Sequence, residues 1–249
     1  MLVTERYTPH EILQILVSFY HLQEAYDPVV LKGQELNFET TVSDYIDIGD
    51  LLPPKQLAKY YHGLFEISAP LTQLEEILVE DKSNTLQTLC EYIAKHANKE
   101  NIKPITLLGQ QCTTAAIFKQ LTTNLQKRGV KTVEIRPSSP FIPLFKKYGG
   151  VITEEVNKLA PGALSKFEYT NNRIVRIGEA LLCIFLFSII LVPLIWHFHW
   201  ALFITLGLGL IMIFIGRTFK PEKEIIGGYN TIRDLIIGMQ LHLEKSSIN

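Results

Sequence analysis

The run ALLCIFLFSIILVPLIWHFHWALFITLGLGLIMIFIG, from Ala180 to Gly216, holds 37 consecutive residues without Lys, Arg, Asp or Glu. A bilayer core asks for about 20 helical residues, so the run is too long for one span and long enough for two. It divides at Trp196-His197-Phe198-His199-Trp200, where Trp, a headgroup-level residue, marks the turn of a hairpin. The reading predicts one span over Ile177–Phe198 and a second over His199–Arg217. Lys166, Arg173 and Arg176 precede the first, Arg217, Lys220 and Lys223 follow the second, and the turn carries no Lys or Arg. Positive flanks on one side predict a two-span cell-membrane protein with both termini cytoplasmic. Met1-Leu2-Val3-Thr4-Glu5-Arg6 lacks the pattern of a signal peptide, and three separated cysteines fit a reducing compartment. Gly207-x-Gly209 permits close helix approach without being the Gly-xxx-Gly motif, which leaves a homo-oligomer open.

The rest of the 249 residues is polar enough to fold in water. Apolar residues make up 47% and charged residues 20%, with a net charge of −1. That composition excludes a disordered or collagen-like chain. The small net charge hides an asymmetry: residues 1–97 carry 6 Lys and Arg against 15 Asp and Glu, whereas residues 98–176 carry 13 against 5. The expected organisation is therefore an acidic lobe (1–97), a basic lobe (98–176), the transmembrane hairpin (177–217) and a C-terminal tail (218–249).

The acidic lobe reads as a helical bundle. Thr8-Pro9-His10-Glu11 is a capping box with Pro at the first helical position, and Ile12, Leu13, Ile15, Leu16, Phe19 and Tyr20 follow at helical spacing. Further helices are expected after Pro53-Pro54, after Ser68-Ala69-Pro70 and from Thr85. The basic lobe reads as a small βαβ unit: a strand at Pro104–Leu108, a helix over Thr113–Arg128 stopped by Gly129, and a second, parallel strand at Val130–Ile135. A short helix over Phe141–Tyr148 ended by Gly149-Gly150, and a hairpin over Lys166–Arg176, are expected to follow. In the tail, Thr231-Ile232-Arg233-Asp234 is a capping box that opens an amphipathic helix. The predicted class is thus an α+β cytoplasmic domain, helical bundle plus small βαβ unit, carrying a two-helix transmembrane hairpin.

Asp47-Ile48-Gly49-Asp50-Leu51-Leu52, then Leu64-Phe65-Glu66-Ile67, then Thr85-Leu86-Gln87-Thr88-Leu89 resembles the acyl carrier protein pattern over residues 8–97. That family attaches phosphopantetheine to the Ser of an Asp-Ser-Leu; here Leu51 stands at that position and offers no hydroxyl. The resemblance implies a carrier-like fold kept as a docking module, with no cofactor attached.

Candidate chemistry is sparse. Cys112, in Gly109-Gln110-Gln111-Cys112-Thr113-Thr114, sits before a helix whose N-terminus lowers a thiol pKa, and is the candidate nucleophile. No complete catalytic or metal-binding pattern accompanies it, and His197-x-His199 lacks a carboxylate partner. Asp44, Asp47 and Asp50 recur every three residues and are the candidate partner-binding face. Lys127, Arg128, Lys131, Lys146 and Lys147 would face lipid headgroups or neutralise the acidic lobe; without interleaved aromatics they do not suggest nucleic acid. These features predict a membrane-anchored adaptor or assembly factor with a protein partner. The alternative is an enzyme acting on a lipid or acyl substrate through Cys112.

Overall fold

The computed structural model describes residues 4–27, 29–79, 84–107, 109–165, 167–170, 177–178, 180–184, 204, 206–214 and 223–246. They fall into two compact units, residues 1–167 with 225–249, and residues 168–224.

The first unit contains two hydrophobic cores. Strand β1 (Thr4–Arg6) leads into α1 (Pro9–Tyr26), α2 (Val42–Ile48), α3 (Pro54–Leu64), α4 (Leu71–Leu78) and α5 (Leu86–His96). The chain returns as β2 (Asn98–Glu100), antiparallel to β1 with Thr4 opposite Glu100. At the start of α1, Thr8 Oγ1 accepts the Glu11 N–H at 3.2 Å, and Glu11 Oε2 accepts the Thr8 N–H at 2.8 Å, satisfying two otherwise orphaned donors. The other carboxylate oxygen of Glu11 takes the Lys99 ammonium of β2 at 2.5 Å, with both side chains nearly buried. Ile12, Leu16, Leu74, Leu78, Leu86, Leu89 and Ile93 are fully enclosed, each contributing roughly 1.5–3 kcal/mol of burial.

After β2 come β3 (Ile105–Leu107) and β4 (Gln110–Cys112), and the second core is built from α6 (Thr113–Lys127), α7 (Phe141–Leu159) and the C-terminal helix α8 (Ile232–Ser246). Ile117, Leu121, Leu125, Phe141, Val156, Leu235 and Met239 form its centre. The capping box of α8 has the Asp234 N–H on Thr231 Oγ1 at 3.2 Å and the Thr231 N–H on Asp234 Oδ2 at 2.9 Å.

Two expectations for the basic lobe are corrected. β3 and β4 are the arms of an antiparallel hairpin, Ile105 opposite Cys112, turned at Gly109 with φ +81°, and not the first strand of a parallel βαβ unit. Val130–Ile135 is a turn, closed by Ile135 N–H on Thr132 O at 2.9 Å, with Val133 94% exposed. β4 runs straight into α6, and the sheet it forms with β3 has two strands. The short helix expected over Phe141–Tyr148 does end there: Tyr148 is non-helical (φ −135°, ψ 23°), and a second helical segment follows it to Leu159, the two together making α7. β5 (Phe167–Thr170) pairs with β6 (Lys223–Ile226), and residues 171–176, the second arm of the hairpin expected over Lys166–Arg176, lie outside the described residues.

The transmembrane hairpin is also corrected. Among the described residues no helix is long and apolar enough to cross a membrane. The two-span placement and the orientation built on it fall with this. Trp196–Trp200, the expected turn, lies outside the described residues. Within this unit, described helical residues approach backbone to backbone: a Cβ on Gly178 would meet Gly209 O at 2.9 Å and Ile213 Cγ1 at 2.6 Å.

The two halves of the first unit repeat one main-chain arrangement. In the first half the Val42 N–H bonds Asn84 O (2.9 Å), Leu86 N–H bonds Thr40 O (2.8 Å) and Gln87 N–H bonds Phe38 O (3.1 Å). In the second, Phe141 N–H bonds Asn230 O (2.9 Å), Ile232 N–H bonds Ser139 O (3.0 Å) and Arg233 N–H bonds Pro137 O (2.8 Å). Thr41 bridges Thr85 in one, Pro140 bridges Thr231 in the other, both antiparallel. These clasps match α2 with the start of α7 and α5 with α8; α1 packs against α5 in the first half as α6 packs against α8 in the second. Residues 168–224 enter the second half in the stretch of chain that holds α4 in the first.

The clasp predicts an unequal response to proline in the first turn of α5. Gln87→Pro deletes a clasp donor and orphans the Phe38 carbonyl, whereas Thr88→Pro deletes an N–H outside the clasp. Denaturant unfolding should show Gln87→Pro the less stable by about 1–3 kcal/mol; equal losses would remove the clasp from the account.

Candidate functional site

Helix α2 is held by Thr41, whose Oγ1 accepts the Asp44 N–H at 3.0 Å. Val42, Tyr45 and Ile46 face the core, and this leaves Asp44 and Asp47 exposed on the opposite side. Asp50, also exposed, follows the helix in the left-handed region (φ 44°), a conformation Asp tolerates. Leu51 N–H closes the end on Ile46 O at 3.0 Å. The Leu51 side chain folds back over Gly49, where a Cβ would lie 3.0 Å from Leu51 Cγ, and packs on the first core. The structure therefore brings the three aspartates onto one exposed edge. Among the described residues, no group of three His, Cys, Asp or Glu side chains gathers to hold a metal.

Through the clasps, Asp47 of α2 falls on Lys146 of α7, and the position of Leu51 falls on Gly150. Lys146 and Lys147 are exposed, and Lys147 Nζ lies 5.1 Å over the Tyr148 ring. Lys127 and Lys131 are exposed as well. Arg128, also exposed, is ion-paired to α7: it donates to Glu154 Oε2 at 2.5 Å and to Glu155 Oε1 at 3.1 Å. Glu154 in turn accepts the Tyr60 hydroxyl at 2.8 Å. The headgroup role expected for these cations rested on the predicted spans and is dropped with them.

Cys112 is the N-cap residue of α6. Its Sγ is 3.2 Å from Thr114 Oγ1. That hydrogen bond, with the Ala115 N–H behind it, holds the thiol below its ordinary pKa. Cys90, buried in the first core, is pushed up to about 12 by burial. In the acidic lobe His62 Nε2 meets Ala69 O at 2.9 Å, and the His96 ring lies tilted against Tyr92 with ring centres 4.8 Å apart.

Two cavities stand out. A polar cleft of about 370 Å³ opens between the two cores, lined by Tyr7, Glu66, Glu100, Lys127, Arg128 and Glu155 among others. The Tyr7 hydroxyl donates to Lys158 O at 3.0 Å across it, and burial together with Glu11 and Glu100 raises the Tyr7 pKa. An apolar cavity of about 330 Å³ lies between the first turns of α6 and α8, walled by Ala115, Phe118, Pro137, Ile236 and Ile237, with Thr114 and Arg233 as its polar groups. Sequence reasoning missed both cavities. Their walls come from segments a hundred residues apart, and no local spacing announces them.

Comparison with known proteins returned no match among family models, curated proteins or solved structures.

The thiol environments predict an ordered reactivity. Between pH 7 and 8 the thiolate fraction is larger for a lowered pKa, so iodoacetamide should modify Cys112 far faster than Cys90, read by peptide mass spectrometry. Thr114→Val should slow Cys112 and shift its pH midpoint upward; an unchanged midpoint would contradict the Thr114 contact.

Proposed function

We propose that the chain is an adaptor: two like-folded halves fixed in one unit, each offering a differently charged docking face to a different protein partner. The observation that carries this reading is the matched pair Asp47 and Lys146. At one place on a repeated helix, the first half presents Asp44, Asp47 and Asp50, and the second presents Lys146 and Lys147. Charge complementarity selects partners and sets association rate more than it adds raw affinity, so opposite faces on one frame would recruit opposite partners. The carrier-like order of helices supports a docking role in the first half, and neither Leu51 nor Gly150 offers a hydroxyl for a prosthetic arm.

A second reading, an enzyme acting on an acyl substrate, rests on the lowered pKa of Cys112 and the apolar cavity that begins at its neighbour Thr114.

Site-specific photo-crosslinkers at Asp47 and at Lys146, in the full chain at native expression, test the adaptor. The expectation is two different stoichiometric partners, the Asp47 partner being lost on Asp44→Lys with Asp50→Lys. The same protein at both positions, or capture insensitive to charge reversal, would refute two-faced docking. A covalent acyl adduct on Cys112 in the same preparations would favour the enzyme.

A further inference from the structure

At the clasp of the first half two rings meet, a half-buried Phe38 and an exposed His10. Phe38, whose carbonyl accepts the Gln87 N–H, packs its ring on the first core with its centre 6.0 Å from the His10 ring. In the second half Pro137 takes the place of Phe38, its carbonyl accepting the Arg233 N–H at 2.8 Å. Setting the enclosed Ile12, Leu16 and Tyr20 of α1 against Ile117, Leu121 and Leu125 of α6 puts Ala115 in the place of His10. Two ring side chains are thus exchanged for two small ones at the same junction. The result is the cavity of about 330 Å³ beside Phe118 and Ile236.

An apolar cavity of about 150 Å³ accommodates benzene, so this one has room for a phenyl ring and a short chain. Its charged group is Arg233, an exposed side chain that makes no side-chain hydrogen bond among the described residues and whose charge also acts on the neighbouring Asp234. A guanidinium at the mouth of an apolar cavity matches a carboxylate carried on an apolar body.

We propose that this cavity is a binding site for a small aryl carboxylate, with the aryl ring where the ring of Phe38 lies in the first half and the carboxylate on Arg233. The site is independent of the adaptor reading and of any chemistry at Cys112.

Titration of the full chain with 3-phenylpropionate, followed calorimetrically and by ligand NMR, tests it. Saturable binding is expected. Its amide, 3-phenylpropanamide, should bind about tenfold more weakly, the worth of a charge-assisted hydrogen bond. Arg233→Gln should weaken the acid by the same factor and leave the amide unchanged. Pro137→Phe, and separately Ala115→Leu from the α6 side, should abolish binding while melting near the parent temperature. Three results would overturn the proposal: no saturable binding to the parent chain, equal affinity for acid and amide, or undiminished binding to a folded cavity-filling variant. A peptide ending in Phe that binds where the free acid does not would overturn it too, in favour of a chain terminus as the occupant.

Discussion

Everything in the first unit hangs on a small main-chain constraint used twice. The first N–H groups of a helix have no partner inside that helix, and burying them unpaired is costly. Here α5 and α8 give their first two N–H groups to an extended segment that itself leads into α2 or α7, and the first N–H of that helix is given back. The exchange pins a non-local crossing within each core and fixes the register of the helices around it. Thr85 and Thr231 stand at the crossing in the two halves, with Leu86 and Ile232 driven into the core immediately after. A requirement met by backbone atoms leaves the outward side chains free to diverge. That freedom explains how one arrangement can carry Asp47 in one half and Lys146 in the other.

The halves are joined by polar contacts as well as by packing. Tyr7 bonds Lys158 O, His21 Nδ1 meets Ser165 O at 2.8 Å, and Tyr60 bonds Glu154, which Arg128 also holds. The pairing of Lys99 with Glu11 ties the β1–β2 ladder to the cap of α1. A nearly buried pair of this kind gives up hydration, and its value here is to fix the junction more than to add net stability. Two charged faces carried on a frame tied in this way keep a set separation, which suits an adaptor better than a hinge.

Local capping was legible in the sequence and long-range pairing was not. Thr8-Pro9-His10-Glu11 and Thr231-Ile232-Arg233-Asp234 announce helix starts because the cap is a contact over three residues. The strand at Ile105 was readable, but its partner was not: an antiparallel arm beginning at Gln110, of polar residues, has no apolar pattern to betray it, whereas Val130–Ile135 has the pattern and no partner. Hydropathy counts missing charges and does not measure helix length, which is why the run from Ala180 to Gly216 suggested spans that the described helices do not form. The exposure of Asp44 and Asp47 was readable because a three-residue step stays on one side of a helix, whereas Asp50 lies past the end of α2. The ion pairs of Arg128 were not readable, since Glu154 and Glu155 reach it only through the fold. The correspondence of Phe38 with Pro137 has no sequence signal, because it is carried by hydrogen bonds and not by residue type.

Amide hydrogen exchange at the two clasps tests the central claim most directly. The account predicts that Leu86 and Gln87 in one half, and Ile232 and Arg233 in the other, exchange as slowly as the interiors of their own helices, although all four are first-turn amides. Exchange of either set at the rate of an open helix start would contradict a repeated clasp, and with it the matching of the two halves.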